Sequence, residues 1–260
     1  MIIETILTPA ELPALARRDW RGTACVVFDI LRATSTFVTA LHHGAEKIIP
    51  VGDIAAAVAL KKQEPAARLA GERAGMRIRA GQSGGTDFDF GNSPREFISE
   101  RIRGRIIVST TTNGTQALRA CAGAEAVLAG SFLNLASTAE FLRAKNFATV
   151  RLVCAGTGVD VALEDVLAAG ALVENLAGAS LTRPMAGRLH HTAKLSDSSQ
   201  IALKTFSELK MDLVAAIGSS QNGRRLTAIP DLLDDVAFCA QRDVFNLVAM
   251  MDSAGALRRI

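Results

Sequence analysis

Short runs rich in Val, Ile and Leu recur through the first two-thirds of this chain, and Ala-rich stretches of helical length separate most of them. The runs at 2–7, 24–29, 47–51, 68–71, 105–109, 125–129 and 150–154 read as strands. Those at 33–43, 54–62, 94–101, 115–120, 135–145 and 163–176 read as helices. Strands that alternate with helices pair in parallel through crossovers, so the pattern predicts an α/β protein whose largely parallel sheet is covered on both faces.

Beyond about 181 the pattern changes. Residues 195–241 read as helix, short connection and helix, with Ser196 and Asp231 as N-caps, and 245–250 read as a last strand. No Pro/Ser-rich linker or charged tail sets this region apart. A single domain over 1–260 is therefore expected, with 1–180 the alternating part and 181–260 a helical segment plus final strand packed on it. The Gly-rich stretch GQSGGTDFDFGNSP (81–94) is the longest irregular segment, and such a loop inside a compact domain tends to be functional or mobile.

Composition narrows the function classes. Of the 260 residues, 49% are hydrophobic and 21% charged, enough to build a sizeable core, and the net charge is only +3. The basic residues are scattered, with no Lys/Arg stripe or interleaved aromatics, which argues against a nucleic-acid partner. Cys25, Cys121, Cys154 and Cys239 lie far apart with no CxxC, against a zinc site or a disulfide framework and in favour of a reducing cytosol. No basic leader opens the chain and no run reaches the roughly 18 apolar residues of a membrane span, so a cytoplasmic protein without membrane contact is expected. The pairs His42–His43 and His190–His191 are weak metal signals, because adjacent residues do not share a helix face.

What the strands run into is more telling. In open parallel α/β sheets, ligands bind beyond the carboxyl ends of the strands. The strand at 24–29 ends on Asp29, followed by Arg32 and the hydroxyls Thr34, Ser35 and Thr36. The strand at 105–109 runs into Ser109, Thr110, Thr111, Thr112, Asn113, Gly114 and Thr115; the one at 150–154 into Gly156–Thr157–Gly158, with Glu164 and Asp165 opening the next helix; the one at 68–71 into Glu72 and Arg73. Free N–H groups at a helix start favour an anion, so STTTNGT reads as an anion cradle, although it is neither GxxxxGK[ST] nor GxGxxG. Thr112 or Asn113 as a simple helix cap, and Glu164–Asp165 as ordinary first-turn acids, are the plainer alternatives. Gathered carboxylates repel one another unless a cation is present, and Mg²⁺ takes one or two carboxylates together with water and phosphate oxygens.

Taken as a set, FDILRATST (28–36), GER (71–73), FGNSP (90–94), TTTNGT (110–115), CAGTG (154–158) with LED and AAG, and DDVAFCA (234–240) resemble the ComB-type 2-phosphosulfolactate phosphatases. The motifs span roughly 25–243 in family order. The resemblance implies a three-layer α/β/α fold with a mostly parallel or mixed sheet. It also implies Mg²⁺-dependent hydrolysis of 2-phospho-3-sulfolactate to 3-sulfolactate and phosphate, a step of coenzyme M biosynthesis. Ala162 stands where the family often has Ser, and LVAMM lacks an expected Pro.

On this reading Asp29, Arg32, Glu164 and Asp165 are the catalytic residues. Thr34, Ser35, Arg73, Asn92, Ser93, Thr110, Thr112, Asn113, Gly114 and Thr115 bind the substrate, and Asp29, Glu72, Glu164 and Asp235 hold Mg²⁺. Arg73 or Arg79 would take a carboxylate or sulfonate. An aspartyl-phosphate on Asp29 ranks second and a Cys154 thiolate third. An anion-binding protein without turnover is the non-enzymatic alternative. The partner is a small anionic phosphate ester, and a homodimer is the base-rate expectation for assembly.

Overall fold

Thr23–Phe28 is buried over its whole length, and its side chains alternate between two cores. Ala24, Val26 and Phe28 pack into one, Cys25 and Val27 into the other. Successive residues of a strand point to opposite faces, so a strand buried on both needs a layer of helices on each side. The computed structural model describes residues 1–15, 17–181 and 193–260, and the His190–His191 pair lies outside them.

The strands are β1 (Ile2–Ile6), β2 (Thr23–Phe28), β3 (Lys47–Pro50), β4 (Arg68–Arg73), β5 (Met76–Arg77), β6 (Ile106–Thr110), β7 (Ala126–Gly130), β8 (Thr149–Cys154), β9 (Lys194–Leu195), β10 (Ala249–Met251) and β11 (Leu257–Arg259). The helices are α1 (Leu12–Leu15), α2 (Ala33–His42), α3 (Ile54–Gln63), α4 (Ala80–Ser83), α5 (Ser99–Ile102), α6 (Gly114–Ala120), α7 (Leu135–Lys145), α8 (Leu163–Leu181), α9 (Asp197–Leu209), α10 (Leu213–Gly218), α11 (Gln221–Thr227) and α12 (Leu233–Cys239). Among the described residues all eleven strands join one sheet in the order β5-β4-β6-β3-β11-β10-β7-β2-β8-β1-β9. The fold is α/β in three layers, with a mixed, mostly parallel sheet. Leu135, Leu142, Leu167, Ala202 and Phe206, from α7, α8 and α9, cover one face. Phe37, Leu41 and Leu118, from α2 and α6, cover the other.

The sheet is two parallel blocks, β4-β6-β3 and β7-β2-β8-β1-β9, joined by the C-terminal hairpin. The joining pairs β3–β11, β11–β10 and β10–β7 are all antiparallel, so the blocks run in opposite senses. A twist of roughly 20–25° per strand accumulates over the five steps from β2 to β6. The blocks thereby curl around α2 and α6, and Val27, Ala70, Ile48 and Ile107 share one core. Strand ends that would point apart in a flat sheet meet on one cavity.

Several sequence expectations are corrected. The run at 245–250 yields a strand only from Ala249, and β11 was not anticipated: its Leu-Arg-Arg carries no strand pattern, yet it pairs with β3 in mid-sheet. The helix expected over 94–101 is a 3₁₀ turn (Pro94–Glu96) followed by α5. Ser196 does cap α9, accepting from Ser199 N–H, but Asp231 caps nothing. The Leu232 N–H closes a turn onto Ile229 O and pushes the start of α12 one residue on. The 195–241 region holds four helices rather than two. Among the described residues, no helix is long and apolar enough to cross a membrane.

Candidate active site

Asp29 follows β2 directly, and the Leu31–Arg32 peptide leading into α2 is cis. The Ala33 N–H donates to Asp29 Oδ1 at 3.0 Å, and the Gly114 amide beside it also favours the ionised carboxylate. The starts of α2 and α6 therefore both point at Asp29. Its backbone is fixed by Thr34, whose hydroxyl accepts from Asp29 N–H at 3.0 Å and donates to Asp29 O at 3.1 Å. Burial raises the Asp29 carboxyl to about 7, against the pull of the Ala33 amide, and repulsion from Glu72 and Glu164 adds to the rise.

Glu72 ends on the same cavity. Its Oε1 accepts from Thr112 N–H and Oγ1–H at 3.0 and 2.9 Å, and its Oε2 accepts from Gly75 N–H at 2.7 Å. The STTTNGT turn thus cradles carboxylates of the protein itself: Thr112 holds Glu72 and Gly114 holds Asp29. Gly114 is required by space, since a Cβ there would lie 2.6 Å from Asp29 Oδ2 and 2.7 Å from Ala33 Cβ. Gly114→Ala is expected to displace the Asp29 carboxylate and lower kcat by about 100-fold. The overpacking should cost about 1–3 kcal/mol. Steady-state kinetics beside a thermal melt check both, and unchanged kcat would detach this contact from function.

Arg32 lies opposite, 3% exposed and paired through Nη1 with the fully buried Asp235 Oδ2 at 2.7 Å. Its Nη2 donates to Gly75 O at 2.7 Å. Two positive-φ residues, Ala74 and Gly75, form the two-residue turn between β4 and β5 that presents this carbonyl. Asp235 Oδ1 accepts from Ser93 Oγ at 2.7 Å. Five guanidinium N–H donors less two leave Arg32 with hydrogen-bonding capacity for a ligand.

A cavity of about 270 Å³ collects these groups. It brings together the expected Asp29, Arg32, Glu72, Asn92, Thr112 and Asn113. Ser93 lines an adjoining cavity of about 360 Å³, which shares Arg32, Gly75 and Asn92. Ser35, Thr110, Thr115 and Arg73 are not on its lining. Ser35 donates to Ile30 O and Thr115 to Thr111 O, both inside α2 and α6 capping turns. Thr110 and Arg73 bond each other at 3.1 Å, and Arg73 also donates to Glu72 O. Arg73 borders a separate hollow with Asp53 and Gln82, because neighbours on a strand point to opposite sides and Glu72 takes the cavity side. Arg79 lines only the adjoining cavity.

The acidic pair opening α8 is divided in its tasks. Asp165 is buried and accepts from Ile30 N–H (2.8 Å) and Gly156 N–H (2.9 Å), tying the ends of β2 and β8 together. Its carboxyl is pushed well up by burial and by Glu164. Glu164 is 1% exposed; Oε1 accepts from Asn222 at 2.7 Å and Oε2 has no hydrogen-bond partner. Cys154 is buried, and burial followed by Asp165 raises its thiol well above its ordinary value, which leaves it a poor nucleophile.

A set of four carboxylates around one cation is not formed. Among the described residues no three such side chains are gathered closely enough to hold a metal, and both Asp235 oxygens are committed to Arg32 and Ser93. Mg²⁺ needs only one or two carboxylates. The unpartnered Glu164 Oε2 and the repulsion on Asp29 are features that a hard divalent cation fits.

Sequence reading missed the far wall. Asn222, Arg225 and Leu226 reach the cavity from α11, while Gly156–Gly158, the expected strand end after 150–154, complete its rim. Asn113 holds that rim by donating to the carbonyls of Ala155, Gly156 and Gly158 at 2.8–3.2 Å. α11 falls within the 195–241 stretch read only as helix, short connection and helix, and no motif there marks it.

Fold and sequence comparison together place the molecule among the α/β phosphoric monoester hydrolases. The family model described as 2-phosphosulpholactate phosphatase matches residues 6–254. The chain belongs to that family. Among its relatives, each called "Probable 2-phosphosulfolactate phosphatase", the one from Caldanaerobacter subterraneus is 36% identical over 89% of this chain and 88% of its own length. That from Thermosynechococcus vestitus is 34% identical over 95% of both chains, and that from Gloeobacter violaceus 34% over 99% and 98%.

Proposed function

We propose that this chain hydrolyses 2-phosphosulfolactate, or a closely related phosphate ester of a 2-hydroxy acid, in a Mg²⁺-dependent reaction. The observation that carries the reading is Asp29: a carboxylate gripped by the starts of two helices, raised to about 7, facing Arg32 across a small cavity. Ionised, it can accept the proton of the attacking water as the new P–O bond forms and the ester P–O bond breaks, and that proton, passed on directly or through solvent, neutralises the leaving alkoxide as the free hydroxyl. Arg32, held rigidly by Asp235 and Gly75 O, directs its remaining N–H donors at phosphoryl oxygens as charge shifts onto them. Asn92 and Asn113 lend polar lining, and Asp165 holds the β2 and β8 ends at fixed separation. Asp29 and Glu164 are the residues that would hold Mg²⁺, which supplies Lewis-acid polarisation of the phosphoryl group.

Phosphate release from racemic 2-phosphosulfolactate, with and without Mg²⁺ and against phosphoglycolate and phospholactate, tests this. Mg²⁺-dependent release fastest on the sulfonate is expected. Release from the other esters alone would change the substrate and keep the chemistry, whereas none from any of them would favour the non-catalytic anion-binding alternative. Acid quench with phosphorus-labelled substrate separates the water route from an aspartyl-phosphate, because only the latter leaves label on the protein.

A further inference from the structure

Among the described residues two arginines line the cavity that holds Asp29, and they are in opposite situations. Arg32 is buried and has Asp235 and Gly75 O as partners. Arg225 is exposed on α11, and among the described residues no ion pair or hydrogen bond engages its side chain. Its Nη2 comes 3.4 Å from where a Cβ on Gly75 would sit, so the guanidinium lies over the Ala74–Gly75 turn that also anchors Arg32. Three neighbouring cations are committed, Arg77 to Glu96, Arg95 to Asp234 and Arg73 to Thr110, and Arg79 lines only the adjoining cavity. Asn222, three residues before Arg225 and so on the same helix face, is anchored to Thr157 Oγ1 and Glu164 Oε1 at 2.6 and 2.7 Å. That pins α11 and holds its free guanidinium over the Gly75 turn, on the lining of the cavity that also holds Asp29.

A planar fork of unused donors, lining the same cavity as Arg32 and set over the same Gly75 turn, suits a second acid group on the same ligand. We propose that Arg225 is the specificity-determining residue of the cavity, gripping the non-reacting acid group of the substrate, a sulfonate or a carboxylate. This rests on the phosphatase reading for its biological meaning, but the contact can be measured without turnover.

Calorimetric binding of 3-sulfolactate and of inorganic phosphate should be compared in the full-length wild type and in Arg225→Gln. Loss of one charge-assisted contact should weaken 3-sulfolactate by about 10- to 100-fold. Phosphate affinity should stay within about twofold, since a tenfold change would correspond to a lost contact of about 1.4 kcal/mol. Arg225→Lys, which keeps the charge without the fork, should lie between. Lactate and isethionate, each lacking one acid group, identify the group held. In the parallel phosphate-release assay the variant should raise KM and leave kcat nearly unchanged, the signature of an interaction made equally in ground and transition states. Equal 3-sulfolactate affinity in wild type and Arg225→Gln, no binding by the wild type, or an equal loss for phosphate and 3-sulfolactate would each overturn the proposal. Absence of turnover with a retained binding difference would overturn only the phosphatase reading.

Discussion

Replacing Asp29 by Asn is expected to lower turnover by about 10³-fold or more while leaving the chain folded. The amide can still accept one backbone hydrogen bond, but it cannot take a proton or carry the charge that a cation would need. The same variant has a thermodynamic signature. The Asp29 carboxyl stands at about 7 in the folded protein against an ordinary 3.8. The folded state then binds more protons than the unfolded one between these values, so stability is lost as pH rises from about 4 to 7, by at most about 4 kcal/mol. Asp29→Asn should flatten that slope in denaturant titrations run without metal. Part of the slope should remain, because Asp165 is raised as well. Activity runs the other way: it needs the ionised form, so it should rise with pH through about 7 and level off above. Raising Mg²⁺ from sub-saturating to saturating should move that midpoint to lower pH, since a cation favours the carboxylate. A pH–rate midpoint unmoved by Mg²⁺ would separate Asp29 from the metal.

Asp235→Ala should produce the largest loss of stability among the site variants. The Arg32–Asp235 pair is 2.7 Å long with both partners almost fully buried. Removing one partner of a buried pair strands the other charge and costs about 3–5 kcal/mol. For a chain of this size that lowers the melting temperature by roughly 6–20 °C. Ser93 Oγ also loses its acceptor, and Arg95 loses a second acid beside Asp234. Turnover should fall too, because Arg32 is no longer held against Gly75. The double variant Arg32→Met/Asp235→Leu tests the cause: an apolar pair of similar volume should regain much of the melting temperature and none of the activity. Were Asp235 a metal ligand instead, Asp235→Ala would show mainly a weaker Mg²⁺ dependence and little thermal loss.

The alternation of apolar runs and Ala-rich helices was sufficient for the α/β class, because strand and helix periodicities are local properties that a sequence displays directly. The same holds for Asp29 and Arg32, since a charged pair after VVF is conspicuous wherever the strand lies. Which way each polar group turns is a long-range matter. Arg73 looked like a ligand until strand alternation sent Glu72 to the cavity and Arg73 behind it. The hydroxyl-rich turn at 110–115 looked like a phosphate cradle until the curled sheet brought Glu72 and Asp29 under its amides. β11 was illegible, because three residues ending Leu-Arg-Arg become a strand only when β3 and β10 lie open on either side. Arg225 lacked any motif and gained its position through the anchoring of α11 by Asn222. The sequence by itself determined the elements and the chemistry available at their ends; tertiary structure decided which groups face one another, because that depends on sheet register and accumulated twist among residues far apart in the chain.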